Sequence, residues 1–327
     1  MVRATISAGH LMNQQTSTAV APEGVLSSVP LRGTVPPISG EPQTSRYPLL
    51  LRILTFGLRA HWKRGFLFWL RFAANPLLTI RWWRFIAAFA AKRGFPPPHD
   101  ELLQKPLSKF FVYGMSRSRR LALLIDHFMI AEQILSRESM ISLWRGEWLE
   151  MGTVQGRSET YACFIALADR SGGRHEGAFA VKLLRVADMA VLCTARFMFL
   201  RQGTEGCYTF VVGSMQGPRN AKQRIVDVTR DLCGLRPKEA LLIVLQGLAN
   251  EGGMQHFLAI SQDKHPIHYR RDSRQSMMLS NVDAFWAERS GQPENTFGFT
   301  VPHSKIQGAD KRSRSKLWFY NVGELFH

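Results

Sequence analysis

The hydrophobic positions of this chain repeat with two different periods, and the change from one to the other divides it. Between residues 160 and 216 the period is close to two, as strands require. Segments 160–168, 177–185, 191–200 and 207–216 each read as a strand, and short turns such as the Asp-Arg-Ser-Gly-Gly run at 169–173 predict an antiparallel meander. In the last of these, Tyr208, Phe210 and Val212 fall on one face and Cys207, Thr209 and Val211 on the other. Both faces are apolar, so the strand is expected near the centre of its sheet.

Downstream the period lengthens. Residues 220–232 set Ile225, Val228, Thr229 and Leu232 among charged positions, an amphipathic helix that Gly234 is placed to stop. Arg236-Pro237-Lys238-Glu239 opens an almost wholly apolar helix through 240–250, with Pro237 in the first turn, where a missing N–H costs little. A short strand at 257–261, a helix at 281–289 and a strand at 297–302 follow. Upstream, 102–139 reads as more helix, with Leu121, Leu124, Ile125, Phe128 and Leu135 on one face, and Trp144 and Trp148 sit in a loop or short strand. Segment 47–95 reads as two helices divided at Asn75-Pro76 and ended by the prolines at 96–98. The pattern predicts an α+β fold, a mostly antiparallel sheet with packed helices, preceded by a basic aromatic helical region. The expected organisation is a tail at 1–45 with the composition of a disordered segment, a basic amphipathic helical region at 46–98, a helical region at 99–158, and an α+β domain at 159–327 ending in a basic tail, KRSRSK at 311–316.

Charge sharpens this picture. Lys and Arg number 42 against 25 Asp and Glu in 327 residues, a net charge of +17, which favours anionic partners: nucleic acid, lipid headgroups or phosphorylated ligands. No Asp or Glu occurs between Arg46 and His99. There Trp62, Arg64, Trp69, Arg71, Arg81, Trp82, Trp83 and Arg84 interleave aromatic and cationic side chains, as an anionic membrane interface selects. The competing reading is a pair of core-packing helices with solvated Arg faces. Lys or Arg interrupts every greasy run, and residues 1–24 lack the apolar segment of a secretory signal. Four cysteines without a CxxC spacing read as buried thiols in a reducing compartment. A cytoplasmic protein, peripheral at the inner membrane, is expected.

Several short motifs carry a family resemblance: a strand ending in QGPR (216–219), GLRPK (234–238) opening an apolar helix, AIS (259–261) with His265 shortly after, DAFWAE (283–288) and FTVPHS (299–304). In this order and spacing, over about 117–315, the chain resembles the VirK/YbjX family. The resemblance implies a bacterial protein connected with virulence, envelope surface proteins and resistance to cationic antimicrobial peptides. It implies no agreed catalytic residue.

The order of elements is also similar to the acyl-CoA-binding fold of the GNAT acetyltransferases, in which backbone N–H groups at a helix start hold the cofactor pyrophosphate. On that alternative, Gln216, Arg219, Arg236 and Lys238 are candidates for anion or cofactor binding, and Ser261 and His265 for catalysis. The RxxGxG-type loop of those enzymes is missing. Asp263, His265 and His268 have no metal-ligand spacing, so no metal is expected. Asp283 and Glu288 read as facing solvent or a basic loop. Nucleic acid ranks third, because KRSRSK comes with no recognition-helix, RRM or zinc-finger signature.

Overall fold

Two-sided burial accounts for the centre of the molecule. In a computed structural model that describes residues 62–103, 105, 109–168, 173–203, 206–218, 220–269 and 281–326, the apolar alternation of the central segments becomes a single eight-stranded sheet. Its strands are β1 (Leu149–Gln155), β2 (Thr160–Leu167), β3 (Phe179–Arg185), β4 (Ala190–Arg201), β5 (Tyr208–Gln216), β6 (His256–Ile260), β7 (Gln292–Glu294) and β8 (Gly298–Pro302). They lie in the order β1-β2-β3-β4-β5-β6-β8-β7. All neighbours are antiparallel except β5 and β6, which pair in parallel through Val211↔Leu258 and Val212↔Ala259. The expected α+β, mostly antiparallel class is the one observed. The tail at 1–45 lies outside the described residues.

Nine helices are described: α1 (Trp62–Ala74), α2 (Pro76–Arg93), α3 (Asp100–Leu103), α4 (Arg117–Ile134), α5 (Arg137–Trp144), α6 (Lys222–Asp231), α7 (Pro237–Leu248), α8 (Val282–Ala287) and α9 (Lys311–Glu324). Sequence signals set their ends. Pro76 follows Asn75 at the start of α2, and Gly94, at φ 63°, closes it in the left-handed conformation. Ser116, Ser136, Asn281 and Asp310 cap α4, α5, α8 and α9 with side-chain acceptors. Helix α7 is buried along its whole length, packed on β4 and under α9.

Packing crosses two of the expected bounds, and one expectation is corrected. The boundary at 158/159 is not a break in packing, because β1 belongs to the sheet and α4 packs on β4; all described residues fall in one compact unit. Contacts cross 98/99 likewise: α2 packs on α4, and the Trp82 and Trp83 indoles donate to the carbonyls of Leu102 and Leu103, at 2.7 and 3.0 Å. KRSRSK is no tail: it forms the first turns of α9, where Arg312 and Lys316 reach the buried Glu239 of α7 at 3.0 and 3.4 Å.

Candidate functional site

Two arrangements carry chemistry. The first is the corner between α1 and α2. Phe68 and Phe72, four residues apart, turn inward and stack on Trp83 at 5.6 and 5.5 Å between ring centroids. That rotation leaves Phe66, Leu70 and Ala73 on the outward stripe of α1, with Phe66 64% and Leu70 56% exposed. Leu77, 81% exposed, continues the apolar surface into the first turn of α2. Arg81 and Arg84 are exposed at four and seven residues beyond Leu77, on its side of the helix.

The expected lipid contacts divide accordingly. Arg81 and Arg84 face outward and Trp69 is half-buried. Trp82 and Trp83 are corrected: at 1% and 2% exposed they belong to the core, and their N–H groups satisfy the last carbonyls of α3, which have no intrahelical partner. The side chains of Trp62, Arg64 and Arg71 lie outside the described residues. The interleaved sequence thus places core aromatics on one side and an apolar, basic surface on the other.

The second arrangement is a row of polar side chains across the sheet. Direct cross-strand partners share a face, and the register runs Glu150, Phe164, Lys182, Thr194, Gln216 over β1 to β5; Ala180, Arg196 and Ser214 form the adjacent row. Lys182, Thr194, Arg196 and Ser214 are all buried. Glu176 anchors one end: its carboxylate accepts from Arg196 at 3.0 Å, from the Ser214 hydroxyl at 2.7 Å and from Gln216 at 3.2 Å. Gly213 makes this possible, because a Cβ there would sit 1.8 Å from the Glu176 carbonyl oxygen. At the other end the Lys182 ammonium lies 3.2 Å from the centroid of the Trp148 ring, which is 43% exposed. Burial, and then the charge of Arg196, push the Lys182 pKa down to about 8.

The residues expected to form a cofactor or catalytic rim are engaged with several different partners. Gln216 belongs to the polar row. Arg236 is exposed and pairs with Glu288 at 3.4 Å, while Lys238 lies over the Phe285 ring at 5.0 Å, both partners being contributed by α8 and the residue after it. Ser261 is buried, with its hydroxyl donating to Asp263. His265 is also buried, and its Nδ1 accepts from the Ile267 N–H at 3.1 Å. The Ser261 hydroxyl and the His265 Nδ1 are thus engaged with different partners, not with each other. Arg219 lies outside the described residues. Asp283, expected to face solvent or a basic loop, accepts the Gln262 N–H at 2.7 Å and tethers α8 to the end of β6. Among the described residues no group of His, Cys, Asp and Glu is placed to hold a metal ion.

Residues 58–311 match the model of a family described as a protein of unknown function, DUF535. The chain belongs to this family. Nothing among the curated proteins or the solved structures matches it. The DUF535 match begins inside the basic aromatic region and ends at the first residue of α9, so it takes in the corner, the polar row and the whole sheet. Among the described residues no helix is long and apolar enough to cross a membrane.

Proposed function

We propose that this DUF535 protein is an accessory protein that rests on an anionic lipid surface through the α1–α2 corner, at the cytoplasmic face of the inner membrane. The observation that carries the reading is the outward stripe itself: Phe66, Leu70 and Leu77 stand in solvent although the same two helices bury Phe68, Trp82 and Trp83. Large apolar side chains left out of a well-formed core mark an interaction surface. The segment's want of acidic residues makes a negatively charged surface the complementary occupant. Each Lys or Arg near such a surface contributes about 1 kcal/mol, lost as salt screens it. The resemblance to VirK/YbjX proteins supports a role in envelope integrity, surface-protein function or virulence, with envelope or surface proteins as further partners.

Co-sedimentation of the full chain with phosphatidylglycerol-containing vesicles tests this reading. Binding is expected to fall with added salt, and Arg81→Glu with Arg84→Glu is expected to release the protein while its unfolding transition is unchanged. Equal binding to zwitterionic and anionic vesicles would refute it.

Acyl transfer from a CoA thioester is the weaker reading, because the Ser261 hydroxyl is committed to Asp263 and Arg236 to Glu288. Nucleic-acid binding also loses support, since Arg312 and Lys316 of the KRSRSK run are used to fasten α9.

A further inference from the structure

Lys182 is 5% exposed, and among the described residues its ammonium has a ring but no carboxylate against it. An ammonium partly withdrawn from water without a counter-charge is unfavourable. The carboxylates within reach of the row are otherwise placed. Glu176 is taken up by Arg196, Ser214 and Gln216, and Glu150 stands two strands away in the register, beyond Phe164. Arg196 adds to the positive potential rather than relieving it.

We propose that Lys182 and Thr194 form the oxyanion end of a small-molecule site on this face of the sheet, taking a carboxylate or phosphate group. Thr194 is the direct cross-strand partner of Lys182 and is buried beside it. Such partners hold their Cβ atoms about 4.5–5.5 Å apart, which sets an ammonium and a hydroxyl within reach of two oxygens of one acid group. Phe164, the neighbour of Lys182 on its other side, offers an apolar wall to the body of the ligand. Trp148 covers the ammonium from the segment between α5 and β1, next to Gly146 in the left-handed conformation at φ 79°. Its ring contacts Lys182 through the π face, and swinging it aside exchanges that cation–π contact for an ion pair with the ligand.

The full chain is titrated calorimetrically with inorganic phosphate and with benzoate, without vesicles. Both probes are expected to bind, and Lys182→Met is expected to weaken binding by at least about tenfold. In anion-free buffer the same variant should melt no lower than the parent, because it removes a partly desolvated charge that has no carboxylate against it. Lys92→Met, which removes an exposed charge, should bind as the parent does. Arg81→Glu with Arg84→Glu should also bind normally, so failure of the lipid reading leaves this site standing, and the reverse. Should Lys182→Met not fold, Thr194→Val is read in its place, with weakened binding expected. Benzoate binding should decline as pH rises from 7 to 9.5 and Lys182 loses its proton. Absence of binding to the parent, equal binding by the parent and Lys182→Met, or equal losses in the Lys182 and Lys92 variants would overturn the proposal.

Discussion

His303 shows how much a single side chain can be changed by its surroundings. Its ring lies beside the stacked pair Phe210 and Phe257, at 6.1 Å from each, and burial, followed by the charge of His256, pushes its pKa down to about 4. An unfolded His titrates near 6.5, so between about 6.5 and 4 the unfolded chain binds a proton that the folded one refuses. Stability is therefore complete above this window and is lost as pH falls through it. His127 acts in the same direction: it is fully buried, accepts the Phe199 N–H at 3.0 Å, and is held well below the ordinary range by burial and then by Lys105. We expect the melting temperature to drop between pH 6.5 and 4, and His303→Phe to lessen the drop; an unchanged slope in that variant would show that His303 is not its source. The polar row belongs to the same scale and was the least legible feature of the sequence. Lys182, Thr194 and Arg196 each look like an ordinary polar residue in a strand. Only register makes them neighbours, and register depends on the bulges between Leu183 and Leu184 and between Arg196 and Phe197, which alternation alone does not locate.

Among the elements, those with an uninterrupted period were legible and those that break a rule were not. The meander, α6, α7 and β6 fall where the pattern puts them, to within a few residues. Strand β1 escaped because Glu150, Gly152 and Thr153 spoil its alternation, and Gly152 lies at a bulge. Helix α9 escaped because its first turns are basic; the apolar side appears only with Phe319 and Val322, which are buried. Its seat on α7 is equally unannounced. A Cβ on Gly247 would lie 2.1 Å from the Tyr320 carbonyl oxygen, and one on Gly323 2.0 Å from that of Val244, so the two helices touch backbone to backbone. Overpacking a contact of this kind costs about 1–3 kcal/mol. Gly247→Ala should lower the urea midpoint by a corresponding amount, and an unchanged midpoint would show that α9 can withdraw without loss.

On the scale of the whole molecule, the N-terminal helices and the sheet stand or fall together. Lys105 donates to the Gly177 carbonyl at 2.9 Å, the Phe111 N–H to His175 at 2.8 Å and the Tyr113 N–H to Lys264 at 2.7 Å, so the segment between α3 and α4 is sewn onto loops of the sheet. A fragment of residues 159–327, the domain that sequence patterning proposes, lacks β1, α4 and these bonds. It should remain unfolded by circular dichroism where the full chain unfolds in one transition, and a stable fragment would restore the boundary. Among the apolar side chains that the packing leaves uncovered are those of the α1–α2 corner, the part of the molecule on which the functional account rests. Flotation of the full chain with phosphatidylglycerol vesicles, compared with the triple variant Phe66→Ser, Leu70→Ser, Leu77→Ser, tests that account most directly. The parent should float and the variant, equally folded, should stay at the bottom of the gradient; a variant that floats like the parent would contradict it.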